Sequence, residues 1–223
     1  MLANSACQLE RHRPSPRVVT AVTHIVKSVP RPPLTLAVLT ISDLASRGER
    51  ADTSGDAIVA WAATIGAEVT ARAVVSDDVP PIVSRLTDWC DNDVADLVIT
   101  TGGTGFAERD VTPEATRIVI ERDAPGIAEL LRITSAAKFP RAALSRGLSG
   151  IRNRTLIVNL PGSPRGVNDG LAVLETFVAH GVAILRGEVT EHSPRGSSPR
   201  VTQPGAGRST PPGSRLPSTG SSA

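Results

Sequence analysis

At 223 residues, with 40% apolar residues, a net charge of +2 and two cysteines, the chain has room for one domain or at most two, and its cysteines give neither a disulfide framework nor a zinc site. The positive charge belongs to the ends. Residues 1–33 and 193–223 carry +4 each, which leaves about −6 for the stretch between them and argues against a basic, nucleic-acid-binding core.

Residues 1–33 scatter prolines among four arginines and a lysine, and they read as a flexible extension. The apolar stretch 18–29 is interrupted by His24 and Lys27; it is too short to span a membrane, makes a poor signal peptide, and reads as an over-long start or an extra strand. A first strand is expected over 34–42, ending in Ser42-Asp43. A loop with Gly48 and Asp52 then leads to a helix over 54–65, closed by Gly66. The second strand, 67–75, ends in Ser76-Asp77-Asp78, with Asp78 as the cap of a helix over 79–90 that tolerates Pro80 and Pro81 in its first turn.

The β-branched run 95–100 predicts a strand buried on both faces. Directly after it come Thr100-Thr101-Gly102-Gly103-Thr104-Gly105 and then Arg109-Asp110-Val111-Thr112-Pro113-Glu114. Glycines beyond a strand let backbone N–H groups approach a phosphate with no Cβ in the way. No lysine follows the last glycine, so this is not a Walker A loop, and the dinucleotide fingerprint spacing is absent. Thr112 reads as an N-cap, Pro113 as the first helical residue and Glu114 as a first-turn carboxylate, with helices over 113–122 and 126–137.

Two paired strands are expected over 143–151 and 155–160. They are followed by Pro161-Gly162-Ser163-Pro164, in which Ser163 caps a last helix running to about Arg186. Strand and helix alternate, which predicts an α/β fold with a mainly parallel sheet covered on both faces and a single domain over 34–187. The Pro/Gly/Ser-rich residues 188–223 are expected to be disordered.

Asp43, Asp77 and Asp110 each follow the end of a different predicted strand. In open α/β sheets such ends share one rim, so the three should meet the glycine loop and the strand end at Asn159 and Pro161. Taken singly, Asp43 and Asp77 are better explained as turn or capping residues, and only the set of three argues for function. Together with the loop they suggest metal ligands for a Mg²⁺ ion carried by ATP. The chain has no Tyr; His12, His24 and His192 lie in or beside the ends, His180 sits on the last helix, and Cys90 is on a helix that starts at the rim. General-base catalysis by His and a Cys nucleophile are therefore disfavoured, and phosphoryl or nucleotidyl transfer remains.

These residues resemble the molybdopterin adenylyltransferase family, the Mog/MoaB proteins of molybdenum cofactor biosynthesis. The resemblance rests on Ile41-Ser42-Asp43 with Ser46, Gly48, Asp52, Ser54 and Gly55, on the long glycine motif through Glu114, on Leu144-Ser145-Arg146-Gly147, and on Asn159-Leu160-Pro161-Gly162. It implies a cytoplasmic homotrimer of three-layer α/β/α subunits that transfers AMP from Mg-ATP to molybdopterin and releases pyrophosphate. It also implies catalytic roles for Asp77 and Asp110. Ser42, Asp43, the loop Thr101 to Gly105, Thr112, Pro113, Glu114, Asn159, Pro161, Gly162 and Ser163 become its binding residues, with Ser145 and Arg146 on the pterin side. Implied protein partners are a molybdenum insertase and a molybdopterin synthase, with neither nucleic acid nor membrane. A non-catalytic molybdopterin-binding scaffold paralogue is the alternative.

Overall fold

Val, Ile and Leu crowd β1 (Thr35–Ile41), β3 (Leu97–Thr101) and β6 (Thr155–Leu160) because these strands are covered on both faces; every residue of β3 and β6 is buried. The computed structural model describes residues 32–188. The expectations for the N-terminal extension and the C-terminal tail, including Cys7, His12, His24 and His192, lie outside the described residues apart from Pro32, Pro33 and Glu188. The three buried strands run parallel, with β2 (Glu68–Val75) parallel on the flank of β1. Beyond β6, β5 (Ser149–Arg152) and β4 (Arg122–Asp123) are antiparallel, giving the order β2-β1-β3-β6-β5-β4.

Leu36 and Val38 of β1 point to one face, and Ala37, Leu39 and Ile41 to the other. On the first face they meet α2 (Thr53–Thr64), α5 (Pro125–Lys138), α6 (Pro164–Leu174) and α7 (Val178–Leu185) through Ile58, Trp61, Leu131, Leu171 and Val178. On the second they meet α3 (Val79–Asp91) and α4 (Thr112–Val119) through Ile82, Leu86, Trp89, Ala115 and Val119. This is the three-layer α/β/α arrangement expected from the alternation. Among the described residues no single helix is long and apolar enough to cross a membrane.

Register aligns Thr40 with Thr101 and Thr101 with Leu160, so β1, β3 and β6 end at one level. The chain leaves β1 for β2 on one side and returns to β3 on the other, which opens a crevice between the ends of β1 and β3.

Several expectations need correction. The one-turn helix α1 (Asp43–Ser46) stands where a loop is expected; Ser42 Oγ caps it by accepting from the Ala45 amide. Thr112 is not an N-cap: it is the first residue of α4, and its hydroxyl donates to Gly102 O at 2.8 Å. Residues 143–148 are not strand. Pro140–Leu144 form a 3-10 turn, and the amides of Arg146 and Leu148 donate to Thr104 O and Asn159 Oδ1, so β5 starts only at Ser149. The last helix breaks with a bend of 62° between α6 and α7, where the Thr176 hydroxyl donates to Val173 O.

At the amino ends of the strands, Arg186 reaches both carboxylate oxygens of Asp96, at 2.9 and 2.6 Å, and the carbonyls of Pro32 and Pro33. Burial pushes the Asp96 carboxyl up, but hydrogen bonds from Arg186 and Thr35 outweigh it and leave the group below its ordinary value. A depressed pKa of this kind adds stability that is complete above the unfolded carboxylate value, about pH 4, and is lost as pH falls through the lower folded value. The two side chains are only 14% and 18% exposed, so leaving one charge alone is costly. Arg186→Ala is expected to cost about 2–3 kcal/mol at neutral pH, somewhat less than the loss of a fully buried pair. Calorimetry should find Tm lower by roughly 5–10 °C at pH 7, with the gap from wild type narrowing below pH 4.

Candidate functional site

The glycine loop occupies the crevice between β1 and β3. Gly102 has φ +103° and is buried against β1, where an added Cβ would overlap the Ile41 carbonyl oxygen. Gly103 has φ +60°, and a Cβ there would stand 2.5 Å from Thr112 Oγ1 and 3.4 Å from Asp77 Oδ1. Four bonds pin Thr101 to Gly103: Gly102 N–H to Leu160 O, Thr101 Oγ1 to Pro161 O, Thr112 N–H to Gly103 O, and Thr112 Oγ1 to Gly102 O. The amides of Gly103, Thr104 and Gly105 donate to no protein group among the described residues. Successive free N–H groups in such a turn form an anion-binding concavity.

Two carboxylates flank this turn. Asp77 Oδ1 lies beside Gly103, while its Oδ2 accepts from the Asp43 amide at 2.7 Å. Burial pushes the Asp77 carboxyl above its ordinary value; the Asp43 amide pulls it down, and the charges of Asp43 and Asp110 add to the rise. Asp110 lies beside Gly105 and spends Oδ2 on the Ala107 amide at 2.8 Å.

Asp43 is on the same rim with a different engagement. Both its oxygens accept from Arg109, at 2.8 and 2.7 Å, and the Asp77 amide donates to its Oδ1 at 3.0 Å. The amide bond and Arg109 hold the Asp43 carboxyl below its ordinary value. Among the described residues no three His, Cys, Asp or Glu side chains are grouped to hold a metal ion, so the expected three-aspartate cage is not formed. A Mg²⁺ ion that takes most ligands from phosphates and water needs one or two protein carboxylates, and Asp77 and Asp110 at the two sides of the loop fit that requirement.

Two clefts meet at the loop. One, of about 630 Å³, has apolar walls from Leu131, Phe139 and Leu144, and brings Arg132, Arg141 and Arg165 to Gly103, Thr104, Gly105 and Asp110. The other, of about 600 Å³, is more polar and includes Ser42, Arg50, Asp52, Ser54, Asp77 and Thr101. Gly103, Gly162 and Ser163 line both. Each volume suits a small ligand.

The remaining predicted binding residues divide by what their polar atoms do. Ser145 lines the arginine-rich cleft, but Arg146 does not present its guanidinium there: it holds Gly105 O at 2.7 Å, the Asp110 carbonyl and the Glu114 carboxylate. Glu114 is thereby paired, and Pro113 is buried in the first turn of α4. Asn159 touches the cleft with its surface, while its amide group serves Thr100, Thr116 and Leu148. Ser163 caps α6 through the Gly166 amide.

Arginines 132, 141 and 165 escape sequence reasoning, because nothing in their spacing marks a shared cleft and only the fold brings them together. Cys90 is fully buried, and burial lifts its thiol to about 11, which fits its exclusion as a nucleophile. His180 is exposed on α7.

Residues 37–180 match the family model described as Probable molybdopterin binding domain. The chain is 41% identical over 154 residues to a molybdopterin adenylyltransferase of Helicobacter pylori strain J99, covering 68% of this chain and 88% of that protein. Among solved structures it is similar to the molybdopterin biosynthesis enzyme MoaB from Thermus thermophilus, with 45% identity and a TM-score of 0.66 over 69% of this chain and 97% of that one. The molybdopterin biosynthesis Mog protein from Mycobacterium ulcerans gives 38% identity and a TM-score of 0.65, over 68% and 99% of the two chains.

Proposed function

Because the chain belongs to the molybdopterin-binding family of molybdenum cofactor biosynthesis, we propose that it transfers AMP from Mg-ATP to molybdopterin and releases pyrophosphate. The observation that carries this reading is the meeting of two clefts at Gly103, Gly162 and Ser163, with the free amides of Gly103 to Gly105 at the junction. A transfer between two bound molecules needs both reacting phosphates held at one point, and positioning then supplies much of the rate.

In this reading the apolar, arginine-bearing cleft takes the pterin and the more polar cleft beside Asp77 takes the nucleotide. A terminal phosphate oxygen of molybdopterin attacks the α-phosphorus of ATP; a phosphoanhydride bond forms, and the bond to the leaving pyrophosphate breaks. The glycine amides stabilise charge on the reacting phosphate oxygens, as backbone donors do wherever charge develops. Asp77 and Asp110 would hold Mg²⁺, which when bound neutralises phosphate charge. Arg132, Arg141 and Arg165 attract the anionic substrate, and Ser145 lies within the same wall.

The working assembly in this reading is a homotrimer in the cytoplasm, and the product passes to a molybdenum insertase. The test is direct. Purified full-length chain, molybdopterin and Mg-ATP should yield adenylyl-molybdopterin and pyrophosphate in equal amounts by chromatography and a pyrophosphate assay. Pterin binding without pyrophosphate release would replace the enzyme by a non-catalytic scaffold.

A further inference from the structure

We propose that Asp43 and Arg109 are positioning residues, a latch that orients Asp77 and holds the loop bearing Asp110, and that Asp43 itself ligates neither substrate nor metal. The inference rests on the adenylyl-transfer reading for what Asp77 and Asp110 do; the latch itself rests on geometry.

Asp43 and Asp77 exchange bonds reciprocally: the Asp43 amide donates to Asp77 Oδ2 at 2.7 Å, and the Asp77 amide donates to Asp43 Oδ1 at 3.0 Å. A carboxylate with one oxygen fixed in this way cannot turn freely, so Asp77 Oδ1 is left beside Gly103. The exchange also sets two anions close together, and Arg109 offsets them. Its guanidinium takes both oxygens of Asp43 and, through the other terminal nitrogen, Asp78 Oδ1 at 3.0 Å. Segments following β1, β2 and β3 thus converge on one side chain. Arg109 is separated from Asp110 by a single peptide bond, and the Asp110 amide closes back on Ala107 O.

Arg109 is 56% exposed, and exposed ion pairs add little to global stability. What a planar, five-donor fork supplies is geometry: it can satisfy two carboxylates at fixed angles, which a lysine ammonium cannot. The latch should therefore register in local order and turnover rather than in the melting temperature.

The experiment compares full-length wild type with Asp43→Ala, Arg109→Ala, Arg109→Lys and the double alanine variant. Without ligand, amide hydrogen exchange in segments 43–46 and 102–110 should be about tenfold faster or more in the alanine variants, with the lysine variant between them and wild type. In turnover, each alanine variant should lose about 10- to 100-fold in kcat with KM for Mg-ATP within about threefold, and the double variant should fall no further than the worse single one. Unchanged exchange overturns the latch. So does a rise in KM at constant kcat, which would make Arg109 a substrate contact, or full multiplication of the two single losses, which would make the residues independent. If wild type transfers no AMP, the functional reading fails and the exchange result alone decides the latch.

Discussion

Asp110→Asn is expected to lower kcat for adenylyl transfer by about three orders of magnitude, the size of effect that accompanies loss of a group aimed at developing phosphate charge. The substitution keeps an oxygen that can accept from the Ala107 amide, so the local bond at 2.8 Å survives while the negative charge is lost. Asp110→Ala removes both. It should be equally inactive, and it should cost a further ~1 kcal/mol of stability for the lost loop bond, or a few degrees in Tm. Asp110 is half-buried at the edge of the loop and belongs to neither hydrophobic cluster, so neither change should unfold the chain. Pyrophosphate release under saturating Mg-ATP, paired with calorimetry, separates the effects. Turnover of Asp110→Asn within about tenfold of wild type would mean that the carboxylate charge is not needed.

Gly102→Ala should act in the opposite manner, on the fold before the ligand. Its φ of +103° lies where an L-residue is strained, and the new methyl would overlap the backbone oxygen of Ile41, which cannot rotate away. Strain and overpacking together should cost about 3–5 kcal/mol, equivalent to roughly 10 °C in Tm. Gly103→Ala is the contrast. At its φ of +60° an alanine costs about 1–2 kcal/mol in backbone strain, and its methyl, 2.5 Å from the buried Thr112 hydroxyl, displaces that side chain rather than a carbonyl of β1, at about 1 kcal/mol more for the disturbed bond to Gly102 O. There the larger effect should be on affinity, at least about tenfold for ATP or pterin, because the methyl stands beside the free amides. Thermal melts and titration calorimetry with ATP distinguish the two. A Gly102→Ala protein that melts with wild type would show that the turn relaxes without cost.

The buried strands are legible because burial on both faces demands apolar runs, and β1, β3 and β6 have them. The glycine turn is legible for a similar reason: its residues answer to local backbone geometry. What cannot be read depends on partners distant in sequence. β4 is two exposed residues, Arg122 and Asp123, paired with Ile151 and Gly150, and no periodicity marks so short an edge. Residues 143–148 read as the start of the strand that follows them, but the amides of Arg146 and Leu148 go to Thr104 and Asn159, so the segment becomes a wall of a cleft.

Charge misleads in the same way. Arg146 and Asp43 sit where sequence and resemblance place ligand contacts. Their charges are spent on partners within the chain, Arg146 on Glu114 and a loop carbonyl and Asp43 on Arg109. Family resemblance can point to these positions; only the fold reveals which way each side chain is committed.

Arg186 holds the entering Pro32 and Pro33 beside the departing end of α7, at the amino ends of β1 and β3, while the glycine turn lies at their carboxyl ends. The described chain therefore begins and ends at neighbouring points on the pole away from the clefts. A domain with that layout can be joined to other modules at the pole opposite the two clefts. Recombination of that kind is limited by linker reach at one pole, and the clefts at the other stay untouched.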